Sequence, residues 1–235
     1  MGAIFKRELS SYFNSAIAYI VMAVFFGFSG FFFLVTCFLS NSSSLSYVFS
    51  NMFFIIVFLT PIIAMKSFSE EKRQKTDQAL FTSPASLIEI VLGKFLGAFT
   101  MYAICCVIFF VYGAVIQMFT PANWAVIICT TIGILLLGGA FLAIDIFISA
   151  LTESQVIAAI LGIAAGLLIN RMTNIVSLVS SYEWLANILN AISFTNYYQN
   201  FTYGILDLKD VVFFLSVIAL FLFFTIRIFE RKRWS

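Results

Sequence analysis

Six long apolar runs dominate the sequence, at about Ala16 to Leu39, Val48 to Met65, Phe95 to Met118, Trp124 to Leu151, Val156 to Ile169 and Val211 to Phe229. A hydrocarbon slab about 30 Å thick needs roughly 20 predominantly apolar residues per helical crossing. The runs therefore predict an all-α integral membrane protein with six transmembrane helices. Their continuous apolarity argues against barrel strands, which alternate lipid-facing with lumen-facing residues. The second and fifth runs are the weaker ones, because Asn51 and Pro61 interrupt the second and the fifth meets Asn170 and Arg171 early. Such helices tilt or lean on their neighbours.

Several function classes drop out on composition. With 62% of the 235 residues hydrophobic and 10% charged, the chain is unlike any ordinary soluble domain. A net charge of +2, with no cluster of arginines and aromatic rings, leaves no footprint for nucleic acid. Cys37, Cys105, Cys106 and Cys129 lie inside apolar runs and show none of the spacings of a metal site or disulfide framework. The sequence "GFSG" at Gly27 to Gly30 resembles the serine motif of rhomboid proteases, but the chain has no histidine to take the serine proton. A two-aspartate protease fails too, since Asp145 is the one acid clearly within a span. No enzyme chemistry is expected, and no metal ligands. The first run follows Lys6 and Arg7 as a signal peptide would, yet it is about twice the usual apolar length and lacks a small-residue cleavage site, so a retained span is expected.

Orientation follows from the basic residues. Six spans place both termini on one side, together with the loop after the second span and the link after the fourth. Lys6, Arg7, Lys66, Lys72, Arg73, Lys75, Lys94, Arg227, Arg231, Lys232 and Arg233 fall on that side, and only Arg171 and Lys209 on the other. By the positive-inside rule the chain is a multi-pass protein of the cytoplasmic membrane with both termini in the cytoplasm.

Three polar segments then acquire places. Residues 1–14 put Ile4, Phe5, Leu9, Tyr12 and Phe13 on one half of a helical wheel and Lys6, Arg7, Ser10 and Ser11 on the other, as a helix lying in the inner interface requires. Residues 66–84, within "MKSFSEEKRQKTDQALFTSP", form a long cytoplasmic join between the second and third spans. Ser67 with Glu70, and Ser86 with Glu89, have the spacing of capping boxes, and Glu71 with Lys75 and Arg73 with Asp77 can pair four residues apart. A segment this polar without an apolar stripe is a bridge to something else, which makes Phe68, Leu80 and Phe81 candidate anchors for a cytoplasmic partner. Residues 171–210 form the long outer segment, where Trp184, Tyr197, Tyr198 and Tyr203 suit a membrane surface.

Within the spans, Asp145 is a candidate path-lining or ion-pairing group, because ionisable residues there are functional by default. Gly93 with Gly97, and Gly162 with Gly166, allow close helix approach inside the subunit or across a dimer. Asn41 and Asn200 sit in glycosylation sequons on the outer side.

The stretch "SFSEEKRQKTDQALFTSPASLIEIVLGKFLGA" resembles the cytoplasmic segment of ABC type-2 exporter permeases, in which an E-E-[KR]-R…T-[DE]-x-L…[ST]-P pattern precedes a helix opening with a variant of "GK". The C-terminal "FTYGILDLKDVVFFLSVIALFLFFTIRIFERKRWS" resembles the end of the gliding-motility-type branch. A departure is Lys75, where many relatives have Gly. The resemblance covers nearly the whole chain and implies one membrane domain over residues 1–235. It implies a homodimer or heterodimer of permease copies bound to two ATP-binding subunits, which hold the ATP and Mg that this chain, lacking a phosphate-binding loop, does not bind. Phe68, Glu71, Thr76, Asp77, Leu80 and Phe81 would match the coupling helix, and Phe5, Lys6, Arg7 and Leu9 the interfacial helix. The segment holding Trp184, Tyr197 and Tyr198 would form short re-entrant outer helices acting as a gate. Some members of that branch also work with an outer-facing membrane partner. A passive channel, or a scaffold for an outer-surface complex, is the alternative function.

Overall fold

The computed structural model describes residues 2–40, 44–73, 86–172 and 183–234. All regular elements among them are helices: α1 (Gly2–Phe13), α2 (Ala16–Phe33, running on into a π-helical turn, Leu34–Leu39), α3 (Ser46–Ala64), α4 (Ser69–Arg73), α5 (Leu87–Cys106), α6 (Ile108–Phe119), α7 (Trp124–Leu151), α8 (Gln155–Asn170), α9 (Glu183–Ile192), α10 (Phe194–Thr202) and α11 (Leu208–Trp234). Side-chain caps set several starts. The Ser15, Asn123 and Ser154 oxygens accept from backbone amides two or three residues on, and Ser86 with Glu89 makes the full capping box.

Five helical stretches are long and apolar enough to cross a membrane: Ala16–Leu39, Ser46–Arg73, Leu87–Phe119, Trp124–Leu151 and Leu208–Arg231. The fifth apolar run folds as α8, whose 16 residues rise only about 24 Å. Among the described residues the six expected spans are five long helices and, for the fifth run, one shorter apolar helix.

α7 is the central element, and α3, α5, α6, α8, α10 and α11 all pack against it. Its glycines explain how. A Cβ on Gly138 would lie 2.3 Å from the Tyr102 ring, and one on Gly133 would lie 2.4 Å from Cβ of Phe201. At this crossing Tyr102 donates its hydroxyl proton to the Ile134 carbonyl, 2.7 Å away. A buried phenol needs such an acceptor, and a helical carbonyl has a second lone pair to offer.

The short α8 has a packing cause. α3 and α7 form a long groove, and α8 fills its inner part, with Gly162 against Pro61 and Asp145, and Gly166 against Val57. The outer part belongs to α10. Tyr198 donates to the Phe49 carbonyl (2.8 Å), Phe194 meets Phe141 (ring centroids 5.4 Å apart) and Phe201 covers Gly133. α10 also lies along α11, through Tyr197 stacked on Phe213 (4.0 Å) and Asn200 donating to Asp210 (2.7 Å). Apolar side chains left exposed on α2, α8 and α11, such as Phe28, Ile160 and Phe223, suit a lipid surround.

Gly138→Ala should lower stability by about 1–3 kcal/mol through overpacking against Tyr102. Gly27→Ala, where nothing lies within 4 Å, should be neutral or slightly stabilising. Thermal unfolding of the detergent-solubilised chain, followed by size-exclusion, compares the two; equal melting would contradict the packing described for α7.

Candidate functional site

At the end of the bundle where α3 gives way to α4, α1 crosses α5. Gly93 and Gly97 make the crossing close, since a Cβ on either would come within 2.9 Å of the Ile4 or Glu8 side chain. That approach carries the Glu8 carboxylate to Lys94. The Lys94 ammonium then has three acceptors: Glu8 Oε1 at 3.0 Å, Glu71 Oε1 at 2.8 Å and the Ser67 carbonyl at 2.8 Å. These use all its protons, and the Phe68 ring lies 5.0 Å from it. Arg7 bridges the same two carboxylates, at 3.0 Å from Glu8 and 3.1 Å from Glu71. The Lys94 side chain is 1% exposed, whereas Arg7 is 54% exposed. Two cations and two anions from α1, α4 and α5 therefore close a network that is buried at Lys94 and opens to solvent at Arg7.

A second set of bonds ties the bend between α3 and α4 to the remaining inner ends. The amides of Phe68 and Ser69 donate to Ser149 Oγ of α7 (3.3 and 3.0 Å), and Ser69 Oγ donates to the Ser149 carbonyl (3.1 Å). The Lys72 ammonium caps the Ala150 carbonyl. Phe68 packs on Phe229 of α11 with ring centroids 4.6 Å apart. From α1, Tyr12 donates to the Ile63 carbonyl (3.0 Å), while the Ser11 carbonyl accepts from Lys66 (2.7 Å). Burial, with Glu8 close by, pushes the Tyr12 hydroxyl well above its ordinary range, so it stays a neutral donor. Between these contacts lies a polar cleft of about 490 Å³ lined by Arg7, Glu8, Lys66, Glu70, Glu71 and Lys94, among others.

The expected site residues divide accordingly. Phe68 is 4% exposed, with its ring packed on Phe229 inside the subunit. Glu71 faces Lys94 and Arg7; Lys75, its expected surface partner, lies outside the described residues together with Thr76, Asp77, Leu80 and Phe81. The capping box expected at Ser67 is not made: its hydroxyl is buried without a hydrogen-bond partner, and α4 begins at Ser69. On α1, Lys6 and Arg7 are exposed and Phe5 and Leu9 half-buried, the expected amphipathic division. Asp145 is buried between α7, α3 and α8. Trp184 is exposed, Tyr197 is stacked on Phe213, and Tyr198 is a core residue bonded to α3. Both glycine pairs receive helices of the same chain. Asn200 is half-buried and donates to Asp210, Thr202 is buried, and Asn41 lies outside the described residues.

Sequence reasoning counted Lys94 only as one more inner cation and left Glu8 and Ser149 aside. The signal for Lys94 was its place inside the Gly93–Gly97 pair, where a partner helix arrives close enough to deliver a counter-charge. Nothing in the local pattern marks Ser149, which acts only because the α3–α4 bend reaches it.

The comparisons with known proteins add one match. A family model described as ABC-2 family transporter protein matches residues 34–228, most of the chain. A search of curated proteins returns no match.

Removing one partner from a buried ionic network strands the other charges, typically at about 3–5 kcal/mol. Lys94→Met should therefore destabilise strongly. Combining it with Glu8→Gln and Glu71→Gln should recover part of the loss. A mutant cycle on thermal or denaturant unfolding reads the coupling; strictly additive losses would show that the network contributes nothing as a unit.

Proposed function

The chain belongs to the ABC-2 family transporter proteins, the membrane components of ABC transporters, and on that premise we propose that it is the membrane subunit of an ATP-driven exporter in the cytoplasmic membrane. ATP hydrolysis resides in a separate ATP-binding subunit, which holds ATP and Mg; two such subunits serve two permease copies, as a homodimer or heterodimer. Both termini lie in the cytoplasm by the distribution of Lys and Arg. α8 completes a sixth crossing, and α9 with α10 re-enters from the outer face, with Trp184, Tyr197 and Tyr198 placed to close the exit. An outer-facing membrane partner, as in the gliding-motility-type branch, fits the same arrangement.

The observation that carries this reading is the convergence of five elements on residues 66–72. α1, α3, α5, α7 and α11 are each bonded to or packed on that short stretch. A push delivered to the segment that follows is passed to the inner ends of the spans together. Differential binding of the ATP-loaded partner to one arrangement of those spans is what coupling requires. In this proposal Thr76, Asp77, Leu80 and Phe81 make the contact with the ATPase, while Phe68 and Glu71 transmit it from inside the subunit.

Phe68→Asp would disrupt the core, so the contact is tested at Leu80. The tagged chain, extracted in mild detergent, should retain a subunit that hydrolyses ATP. Leu80→Asp should cut its capture by roughly tenfold or more, as for loss of an apolar anchor, with the melting of the permease itself unchanged. Full retention by the variant would remove the coupling assignment. Absence of an ATPase from both would favour a passive channel or scaffold.

A further inference from the structure

The polar cleft between α1 and the bend that joins α3 to α4 has a volume of about 490 Å³, within the range of about 300–1,000 Å³ that small ligands occupy. It sits where three apolar stretches start or finish. Asn14 and Ser15 line it just ahead of α2, Lys66 just after α3, and Lys94 from α5, beside the apolar run that opens at Phe95. Those stretches are long and apolar enough to cross a membrane, so the cleft lies at the depth where hydrocarbon gives way to lipid headgroups. Just beyond it on α2, Tyr19 and Ile20 are each 59% exposed and offer an apolar wall to acyl chains.

The charge of the cleft is mixed and balanced, with Arg7, Lys66 and Lys94 set against Glu8, Glu70 and Glu71. An anionic headgroup is drawn to a pocket with an excess of Lys and Arg, and this lining has no excess. A ligand bearing both signs finds partners for both.

The donors differ in what they have left to give. Lys94 has its protons placed on Glu8, Glu71 and the Ser67 carbonyl. Lys66 is half-buried and pinned, with the Ser11 carbonyl at 2.7 Å and the Tyr12 ring centroid at 5.6 Å. Among the described residues that carbonyl takes one of its three protons, and two remain to donate. Arg7 gives Nη2 to Glu8 and Glu71, which leaves Nε and Nη1 of its fork. Lys66 and Arg7 can thus make charge-assisted bonds to phosphate oxygens with the ionic network intact.

On the acceptor side, Glu70, half-buried in α4, adds a third carboxylate to Glu8 and Glu71, and a carboxylate can accept from several donors at once. Such a group binds a primary ammonium through its N–H bonds. A quaternary ammonium has none and relies on aromatic faces, and the nearby Tyr12 ring already carries Lys66.

We propose that this cleft binds the headgroup of a zwitterionic phospholipid with a primary ammonium, a phosphoethanolamine lipid. Lys66, with Arg7, holds the phosphate, Glu70 holds the ammonium, and the acyl chains leave over Tyr19 and Ile20. The lipid thereby joins α1 to α4 on the solvent side of the network that already joins them through Lys94.

The inference does not rest on the exporter reading, because binding is read on the permease alone. The full chain in mild detergent is titrated with dioleoyl phosphatidylethanolamine, phosphatidylcholine or phosphatidylglycerol, and bound lipid is counted by native mass spectrometry. One phosphatidylethanolamine should bind about tenfold or more tightly than either of the others, as for loss of a hydrogen bond to a charged group. Glu70→Gln should erase the preference over phosphatidylcholine. Lys66→Gln should weaken phosphatidylethanolamine by a similar factor, and Lys66→Arg, which keeps the cation, should retain it. Equal binding of the three lipids by the native chain would overturn the proposal, and so would an ethanolamine preference that survives in both glutamine variants. Glycerophosphoethanolamine, the same headgroup without acyl chains, should compete only at far higher concentration; competition at the concentration of the lipid itself would make the ligand a soluble one and overturn the lipid assignment.

Discussion

Apolar side chains gain nothing by leaving lipid for one another, so helices in a bilayer associate through close packing and polar contacts. Several seams of this fold are opened by glycine. Gly133 and Gly138 of α7 admit the rings of Phe201 and Tyr102, Gly162 and Gly166 of α8 admit α3, and Gly93 and Gly97 of α5 admit α1. Close approach then brings hydroxyls onto helical carbonyls that a wider crossing would leave out of reach, as Tyr102 does at Ile134, Tyr198 at Phe49 and Tyr12 at Ile63. Those bonds are directional and fix the register that packing alone permits.

The ionic network is a product of one of these seams. Without Gly97, Glu8 could not come close enough to supply Lys94 with a counter-charge; without Glu8 and Glu71, a lysine 1% exposed would be an uncompensated buried cation. Such a network is stable only when complete, which makes α1, α4 and the start of α5 one mechanical body. The bonds of Ser149 to Phe68 and Ser69 attach that body to the central helix. α1 is thereby tied into the core of the bundle.

What could be read in the sequence was what local pattern determines. The run from Ala16 to Leu39 and that from Trp124 to Leu151 fold over those same residues, because hydropathy and length decide a span without reference to neighbours. The Ser86–Glu89 box forms because everything it needs lies within four residues. The Ser67–Glu70 box has the same spacing and does not form, because at Ser67 the chain is already bent and its carbonyl bonded to Lys94. Phe68 illustrates the same limit. An aromatic ring in a charged segment has the pattern of an exposed anchor, and only the arrival of Phe229, 161 residues later, makes it a core residue. The fifth run was recognisably weak, but its shortness has a cause on another element, since α10 occupies the rest of the groove.

Of the ionisable groups buried among the described residues, Lys94 and Asp145 have surroundings that differ. Lys94 has every proton placed and admits one arrangement. Asp145 has a buried oxygen without a hydrogen-bond partner. The same helix, α3, reaches both, beside Gly162 that also meets Asp145 and through the bend that follows Ala64 at Lys94. Between them stands Pro61, which removes a rung of the helical ladder. α3 therefore joins a saturated ionic network to an unsatisfied carboxyl across its least braced turn.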